Sequence, residues 1–140
     1  MIEELTVFSL QDLADLDMLM HELSKNSYCN DTLLKNVLND PNVHVFVIRE
    51  NGHIIATGTL CVIHTLEFTV AGVESVVVSS KHRNLGYSSM LMTAIINTAK
   101  NLKVHHIQLT SNPKRVAANH LYQNMGFEKY DTNCYKMELI

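Results

Sequence analysis

At the centre of the chain lies the segment Val76-Val77-Val78-Ser79-Ser80-Lys81-His82-Arg83-Asn84-Leu85-Gly86-Tyr87-Ser88-Ser89-Met90-Leu91-Met92. Its β-branched start predicts a buried strand, and apolar residues at helical spacing predict a helix over residues 85–101. The first N–H groups of a helix lack internal partners and, with the helix dipole, attract anions. Gly86 leaves room for a phosphate near the backbone, and Arg83 adds a fixed positive charge. The segment therefore predicts a diphosphate-binding turn between a strand and a helix.

The turn itself, Arg83-Asn84-Leu85-Gly86-Tyr87-Ser88, resembles the Arg/Gln-x-x-Gly-x-Gly/Ala signature of the GCN5-related N-acetyltransferases (GNAT). The resemblance implies that these residues, together with Ser89, bind the pyrophosphate of acetyl-coenzyme A (acetyl-CoA). Ser88 departs from the pattern, but it is small, so we expect a tighter site with an additional hydroxyl donor. The six residues alone also fit an ordinary connection from a strand to a helix. A Walker-type phosphate loop fits less well because no Gly-Lys-Ser/Thr follows.

A second motif lies near the end of the chain: Asn119-His120-Leu121-Tyr122-Gln123-Asn124-Met125-Gly126-Phe127. It resembles the helix of the same family that ends in Phe/Tyr-Tyr-x-x-x-Gly-Phe, and Gly126 suits a left-handed C-cap. Asn119 and Tyr122 are three residues apart and therefore share a helix face. The resemblance implies that Asn119 contacts the pantetheine arm of the coenzyme and that the Tyr122 hydroxyl faces its sulfur. On the residues alone, Tyr122 also fits a core position and Asn119 a solvent-facing one.

Hydrophobic periodicity and turn residues predict the order of elements along the whole chain. Strands are predicted over residues 5–9, 43–49, 54–64, 68–78, 106–110, 127–130 and 135–139, and helices after residue 9 or 12, after residue 30 or 31, over 85–101 and over 114–125. The second helix must end before Pro41, and Asn51-Gly52 predicts a hairpin turn. The predicted fold is α/β (α+β), a mixed, mostly antiparallel sheet of about seven strands flanked on both faces by four helices. The GNAT acyl-CoA N-acyltransferase fold has the same order of elements, so the resemblance covers almost the whole chain.

Length, charge and cysteine content narrow the class of protein. The 140 residues suit a single N-acetyltransferase domain over residues 1–140 with a sizeable core. A net charge of −3 with scattered basic residues argues against a nucleic-acid partner. Cys29, Cys61 and Cys134 show no paired spacing, which favours a reducing compartment. Because the chain starts without a signal-like pattern and no apolar run suits a membrane span, we expect a cytoplasmic protein with no membrane partner.

Acetyl transfer to an amine needs a base, because an alkylammonium with a pKa of about 10.4 costs roughly 4 kcal/mol to deprotonate at neutral pH. Glu74 lies in the apolar run Val73-Glu74-Ser75-Val76, and strand alternation predicts that it shares a side with Val76. Such surroundings desolvate a carboxylate and make it more basic. The resemblance implies that Glu74 is the catalytic base, directly or through water. Simple pairing of Glu74 with an arginine or a lysine is the alternative.

The remaining catalytic roles are assigned to the same two motifs. Tyr122 can give a proton to the departing thiolate, and a backbone N–H around Val76 to Val78 can stabilise the oxyanion of a tetrahedral intermediate. We expect the strand edge formed by Val76, Val77 and Val78 to pair with the pantetheine amides of the coenzyme. No cysteine lies in either motif, so we expect direct attack by the amine without an acyl-enzyme.

The eight histidines raise the question of a metal site. His105 and His106 are adjacent on a predicted strand, so we expect their side chains to face opposite ways. No HExxH segment is present, and we expect no metal cofactor.

The sequence indicates the acceptor substrate only in outline. In this architecture residues 24–30, 68–74 and 131–133 would hold the acceptor, and we expect Tyr28, Glu74 and Asn133 to contact it. These segments are polar and nearly neutral, which favours a small primary amine such as an amino sugar or an amino-acid derivative. A peptide or protein N-acetyltransferase and a non-catalytic acyl-CoA-binding sensor are the alternatives. The resemblance also implies a homodimer formed through C-terminal strands, which the sequence does not decide.

Overall fold

The computed structural model describes all residues from 1 to 140. In chain order the elements are β1 (Ile2–Leu5), α1 (Leu10–Leu23), α2 (Asp31–Asn39), β2 (Val43–Glu50), β3 (His53–His64), β4 (Thr69–Val78), a 3-10 turn (Ser80–His82), α3 (Tyr87–Asn101), β5 (Ile107–Gln108) and α4 (Val116–Asn124). The chain divides into two compact units, Met1–Leu109 and Thr110–Ile140. The longest helix, α3, has 15 residues, and no helix combines the length and the apolar character needed to cross a membrane.

The strands of the first unit form one sheet in the order β1-β2-β3-β4-β5. Strands β1 to β4 pair antiparallel, whereas β5, which follows the long connection through α3, pairs parallel with β4. The predicted mixed α/β sheet is therefore confirmed. The predicted hairpin turn is confirmed as well, because Asn51 and Gly52 have φ values of 52° and 81°, as a type I′ turn requires.

The first strand lies earlier in the chain than predicted. β1 pairs with β2 from Ile2 opposite Ile48 to Leu5 opposite Val45. Ser9, at the end of the predicted strand, is also one of the two predicted caps of the first helix; it is the N-cap of α1 and forms a capping box with Asp12. Since the residues leading to this cap must turn the chain into a helix, they do not continue the strand.

Helices cover both faces of this sheet. One face is covered by α1 and α2, whose Leu16, Leu19 and Leu34 pack in a cluster with Val45 and Val47 of β2. Phe46 lies between these two valines and therefore faces the other way, opposite Gly58 of β3. A Cβ on Gly58 would lie 3.1 Å from Cδ1 of Ile95 in α3, so α3 packs closely against the second face.

In the second unit, α4 ends in a Schellman motif. The N–H of Phe127 donates to the carbonyl oxygen of Tyr122 at 3.0 Å, and the N–H of Gly126 donates to that of Gln123 at 3.1 Å. Gly126 has a φ of 103°, which confirms its predicted left-handed conformation. The rings of Phe127 and Tyr122 meet edge to face with their centroids 6.0 Å apart, which gives the motif its usual apolar contact.

The two strands predicted over residues 127–130 and 135–139 are absent, so the sheet has five strands rather than about seven. Tyr135, Met137 and Leu139 alternate with polar residues as a half-buried strand does, but all three are more than 80% exposed. Their neighbours Lys136 and Glu138 form a surface ion pair at 2.7 Å. Alternation creates one apolar face, but a strand also needs a partner for its backbone groups, and this segment forms no ladder.

Candidate active site

The turn between β4 and α3 leaves the first N–H groups of the helix without a side-chain cap. Gly86 is the N-cap in a left-handed conformation with φ 83°, and no side chain hydrogen-bonds the N-terminus of α3. A Cβ on Gly86 would meet no atom within 4 Å, so the space beside the backbone is open. α3 begins at Tyr87 rather than at Leu85, because Asn84 and Gly86 both have positive φ. The free N–H groups, the open space and the helix dipole together suit a phosphate group.

Arg83 precedes this open space. Its Nε–H donates to the carbonyl oxygen of Val78 at 3.2 Å, and its two terminal guanidinium nitrogens make no contact with a protein acceptor. The guanidinium can therefore bind an anion without first giving up a salt bridge. Of the other residues predicted to bind the coenzyme here, Leu85 and Ser89 are exposed, while Tyr87 and Ser88 are half-buried.

Two acidic residues that the sequence analysis missed contact the turn. Glu22 of α1 accepts a hydrogen bond from the backbone N–H of Ser80 at 3.0 Å. Glu50 at the end of β2 lies 3.4 Å from Nε2 of His82 and 3.5 Å from the hydroxyl of Tyr87. Both carboxylates lie far from the turn along the chain, and no local motif distinguishes either from an ordinary surface acid.

The edge of β4 next to the turn has no strand partner. β5 pairs with β4 only at Ala71 and Gly72, and from Val73 onward β4 is bonded to β3 alone. Val76 is half-buried and Val77 and Val78 are buried. This part of β4 therefore offers backbone N–H and C=O groups to an extended ligand, as an open sheet edge does in strand addition.

A β-bulge interrupts β4 immediately after Glu74. The register against β3 shifts so that Ser75 and Val76 both lie opposite the single residue Gly58. Ser75 has φ 54°, in the left-handed region that residues other than glycine seldom adopt. A bulge leaves its extra residue outside the ladder, so a backbone N–H at this point is available to a ligand.

The bulge changes the side of the sheet on which Glu74 lies. Glu74 and Val77 share a face, because the β3 residues opposite them are two apart. Val77 packs in the cluster formed with α1 and α2, whereas Val76 lies beside Gly58 on the face covered by α3. The predicted common side of Glu74 and Val76 is therefore wrong, since one inserted residue reverses the alternation. The predicted desolvation is wrong as well, because Glu74 is exposed.

The second unit holds the other two predicted coenzyme residues. Nδ2 of Asn119 donates to the carbonyl oxygen of Asn112 at 3.0 Å, which fixes the amide and leaves Oδ1 free to accept a hydrogen bond. Tyr122 is 7% exposed, and its ring is held against Phe127. No protein group hydrogen-bonds the Tyr122 hydroxyl, so it is available as a donor.

The three predicted acceptor contacts are not joined to one another by hydrogen bonds. Tyr28 is 59% exposed, in the connection from α1 to α2 that Asp17 fixes by accepting the N–H of Cys29 at 2.9 Å. Asn133, in the second unit, donates to the Tyr135 hydroxyl at 3.3 Å. Glu74 is exposed on β4 and forms no ion pair, so the simple pairing considered as an alternative is not present.

The prediction that the side chains of His105 and His106 face opposite ways is wrong. β5 starts at Ile107, so His105 and His106 precede the strand and do not follow its alternation. Their Nδ1 atoms lie 2.9 Å apart, and the ring of His105 stacks on Phe68 with a centroid distance of 3.9 Å. The two rings are joined by a single N–H···N hydrogen bond, which needs one ring as donor and the other as acceptor.

A surface hollow of about 370 Å³ lies at the connection from β1 to α1. None of the predicted site residues lines it. Its charged residues are already paired, because both guanidinium terminal nitrogens of Arg49 bind the carboxylate of Asp12, at 2.7 and 3.1 Å. The hollow therefore offers fewer free polar groups to a ligand than the turn before α3 does.

An open β4 edge beside an uncapped helix N-terminus suits an extended ligand that carries phosphate groups, as an acyl-CoA does. The chain matches the model of the Acetyltransferase (GNAT) family over residues 10–127 and belongs to that family. It is therefore an acetyltransferase, and the acyl donor of this family is acetyl-CoA, as the resemblance of both motifs implied. No curated protein sequence matches the chain at a significant level.

Solved structures share the fold over nearly the whole chain. A candidate acetyltransferase from Agrobacterium tumefaciens is 23% identical, with a TM-score of 0.85 and 99% of each chain covered. Glucosamine-6-phosphate N-acetyltransferase from Arabidopsis thaliana is 15% identical, with a TM-score of 0.78 and 98% of each chain covered. AAC(6')-Iy, in complex with the bisubstrate analogue CoA-S-monomethyl-acetylneamine, is 16% identical, with a TM-score of 0.77 and coverage of 99% of this chain and 97% of the other. At these identities the likeness shows the fold alone.

Proposed function

We propose that this protein transfers the acetyl group of acetyl-CoA directly to the primary amine of a small molecule, either an amino sugar or an amino-acid derivative. In this proposal residues 1–140 form one catalytic domain that acts in the cytoplasm. The observation that carries the proposal is the uncapped N-terminus of α3 behind Gly86, next to the unpaired edge of β4.

The coenzyme site in this proposal has a charged part and an extended part. The pyrophosphate binds Arg83 and the free N–H groups after Gly86, where the open space admits it. The pantetheine arm binds along the open edge of β4 and accepts or donates backbone hydrogen bonds there. The complete set is Val76, Val77, Val78, Arg83, Asn84, Leu85, Gly86, Tyr87, Ser88, Ser89, Asn119 and Tyr122.

Glu74 is the proposed base and Tyr122 the proposed acid. Acetyl-CoA supplies an activated acyl group, and the protein must supply a proton acceptor and a proton donor. Exposure of Glu74 to solvent supports removal of the amine proton through a water molecule. The unpartnered Tyr122 hydroxyl supports protonation of the departing thiolate, and the bulge at Ser75 supports a backbone N–H as the oxyanion donor.

Two of the three cysteines, Cys61 and Cys29, support direct attack by the amine. Burial raises the pKa of the Cys61 thiol, and the charges of Glu74 and Asp40 raise it further. Burial and the charge of Asp17 likewise raise the pKa of Cys29. A nucleophilic cysteine needs the opposite shift, because the thiolate is the reactive form.

The acceptor class rests on the polarity of the candidate acceptor segments. Tyr28 and Asn133 offer a hydroxyl and an amide, and neither carries a charge that would select a strongly acidic or basic substrate. The Arabidopsis structure is named for an amino-sugar acceptor, which makes amino sugars the first class to test.

The experiment is the release of coenzyme A from acetyl-CoA, separated by chromatography, in the presence of amino sugars, amino acids, polyamines or peptides. Release with amino sugars or amino acids supports the proposal, whereas release with peptides alone assigns a peptide acceptor instead. The matched control is Gly86→Glu, which places a side chain and a negative charge where the pyrophosphate binds and should abolish both coenzyme binding and release. Coenzyme binding without release in any group would favour the non-catalytic sensor.

A further inference from the structure

The contact between Glu22 and Ser80 joins two parts of the chain that are 58 residues apart. Glu22 lies in the last turn of α1, one residue before the helix ends at Leu23. Ser80 opens the 3-10 turn that leads from β4 to the proposed coenzyme site, and its backbone N–H is the group that the carboxylate accepts. Because the backbone N–H of Ser80 is a donor in this contact, Glu22 fixes the path of the turn.

The other backbone hydrogen bonds of the turn are local or come from the adjacent strand. The N–H of Ser79 donates to the carbonyl oxygen of Ile55 in β3 at 2.8 Å, and the N–H of His82 donates to the carbonyl oxygen of Ser79 at 2.9 Å. Between these two, Ser80 has no backbone partner and depends on Glu22 alone. Removal of the carboxylate would therefore leave one N–H of the turn without a protein partner.

Glu22 also belongs to a group of charges around the turn. Burial acts to raise the pKa of Glu22, but the Ser80 hydrogen bonds and the positive charges of Arg83 and Lys81 hold it below its usual value. Glu22 also affects Arg83: its negative charge offsets part of the positive potential with which Arg83 attracts an anion. Glu22 thus has two effects of opposite sign on coenzyme binding.

We propose that Glu22 is a positioning residue that sets coenzyme affinity: it holds the Ser80 end of the turn in place while its charge weakens the pull of Arg83 on the pyrophosphate. The inference rests on the proposed coenzyme site and adds a residue outside both sequence motifs. The hydrogen bond favours binding because the turn is ordered in advance. The charge opposes binding and so favours release of the product coenzyme A.

Two variants separate these effects. Glu22→Gln loses the charge but keeps an oxygen that can accept the Ser80 N–H, whereas Glu22→Ala loses both. Coenzyme A binding is measured by titration calorimetry at low salt and at 1 M salt. We expect Glu22→Gln to bind about threefold more tightly than the wild type at low salt. This gain should disappear at 1 M salt, where the screening length is about 3 Å.

The comparison between the two variants tests the hydrogen bond. Glu22→Ala should bind about fivefold more weakly than Glu22→Gln at both salt concentrations, because the pair differs by one hydrogen bond to the turn. Equal affinities of the two variants would overturn the positioning role, and no low-salt gain for Glu22→Gln would overturn the charge effect. Cooperative urea unfolding of both variants, with the folded state fully populated without urea, excludes general unfolding as the cause.

Glu67 on the connection from β3 to β4 gives the matched control, because it is an exposed carboxylate without an ion pair. Glu67→Gln and Glu67→Ala should both bind coenzyme A as the wild type does. The wild-type titration distinguishes failure of the proposed coenzyme site from failure of the role proposed for Glu22. If the wild type fails to bind coenzyme A, the proposed site itself is wrong, whereas wild-type binding with unchanged Glu22 variants contradicts only the role of Glu22.

Discussion

The Nε–H of Arg83 donates a hydrogen bond to the carbonyl oxygen of Val78, the last residue of β4, at 3.2 Å. The guanidinium is thereby tied to the end of the strand whose open edge is proposed to bind pantetheine. A charge that is held in place before the ligand arrives loses less conformational freedom on binding. The contact thus joins the two parts of the proposed coenzyme site.

Replacement of Arg83 tests this arrangement. Arg83→Ala should weaken coenzyme A binding about tenfold or more, because a charged hydrogen-bond donor to the pyrophosphate is lost. The affinity of Arg83→Lys for coenzyme A should lie between those of Arg83→Ala and the wild type, since lysine keeps the charge but lacks the planar guanidinium. Calorimetric titration measures both. Lys35→Ala on α2 serves as a control for the loss of one positive charge, and wild-type affinity of Arg83→Ala would contradict the assignment.

Replacement of Glu74 tests the proposed base. Glu74→Gln should lower kcat about a hundredfold, because general-base catalysis is lost while the shape of the side chain is kept. Coenzyme affinity should be unchanged, and at high pH, where more of the amine is already neutral, part of the loss should be recovered. Steady-state kinetics with the acceptor found in the coenzyme A release assay give the values. If turnover stayed at the wild-type level, Glu74 would not be the base.

Replacement of Tyr122 separates acid catalysis from packing. Tyr122→Phe keeps the edge-to-face contact with Phe127 and removes only the hydroxyl, so it should lower kcat about tenfold or more with little change in stability. Tyr122→Ala should also lower the free energy of unfolding by about 3 kcal/mol, because a buried aromatic ring is lost. Urea unfolding and turnover of the same samples distinguish the two effects. Equal turnover of Tyr122→Phe and wild type would remove the acid role.

Removal of all three thiols tests direct attack. The variant with Cys29, Cys61 and Cys134 replaced by serine should retain its turnover, because no cysteine carries the acyl group. Coenzyme A release is again followed by chromatography, and single serine variants identify any residue responsible for a change. Abolished turnover in a variant that still binds coenzyme A would point to an acyl-enzyme.

The pair formed by Asp12 and Arg49 predicts a pH dependence of stability. Hydrogen bonds from Arg49 outweigh burial and lower the pKa of Asp12 below 3.8, so the folded state favours the charged carboxylate. This contribution is complete at neutral pH and is lost as the pH falls below about 3.8 through the folded-state pKa.

The corresponding variant is Asp12→Asn. It should lower the free energy of unfolding at pH 7 by about 2 kcal/mol, and the difference from the wild type should shrink toward pH 2. Asp31→Asn, which breaks an exposed ion pair with Lys35, should lower the free energy of unfolding by about 0.5 kcal/mol. Urea unfolding across this pH range measures both variants, and a constant Asp12→Asn difference would contradict the linkage.

The features that were predicted correctly depend on neighbours in the chain. The Asn51-Gly52 turn, the cap at Ser9 and the left-handed Gly126 each follow from the backbone preferences of one or two residues. The turn before α3 was predicted for the same reason. The order of the central elements followed as well, because hydrophobic periodicity reports which face of each segment is buried.

The features that were missed depend on residues that meet only in the folded chain. A bulge opposite Gly58 placed Glu74 on the face of Val77, and strand alternation in the sequence carries no sign of that insertion. Glu22 contacts Ser80, which is 58 residues away in the sequence, and no motif in either segment predicts the contact. The alternating residues after Tyr135 remained unpaired, because pairing needs an edge as well as a pattern.

By itself, then, the sequence determined the turn before α3, the two family motifs and the central run of strands and helices, since these follow from local conformational preference and periodicity. Only the tertiary structure decided three features: the face of the sheet on which Glu74 lies, the length over which β5 pairs with β4, and the carboxylate that accepts the N–H of Ser80. The physical reason is that the register of the strands, the point at which β5 stops pairing with β4, and the long-range hydrogen bonds all depend on the packing of the whole sheet.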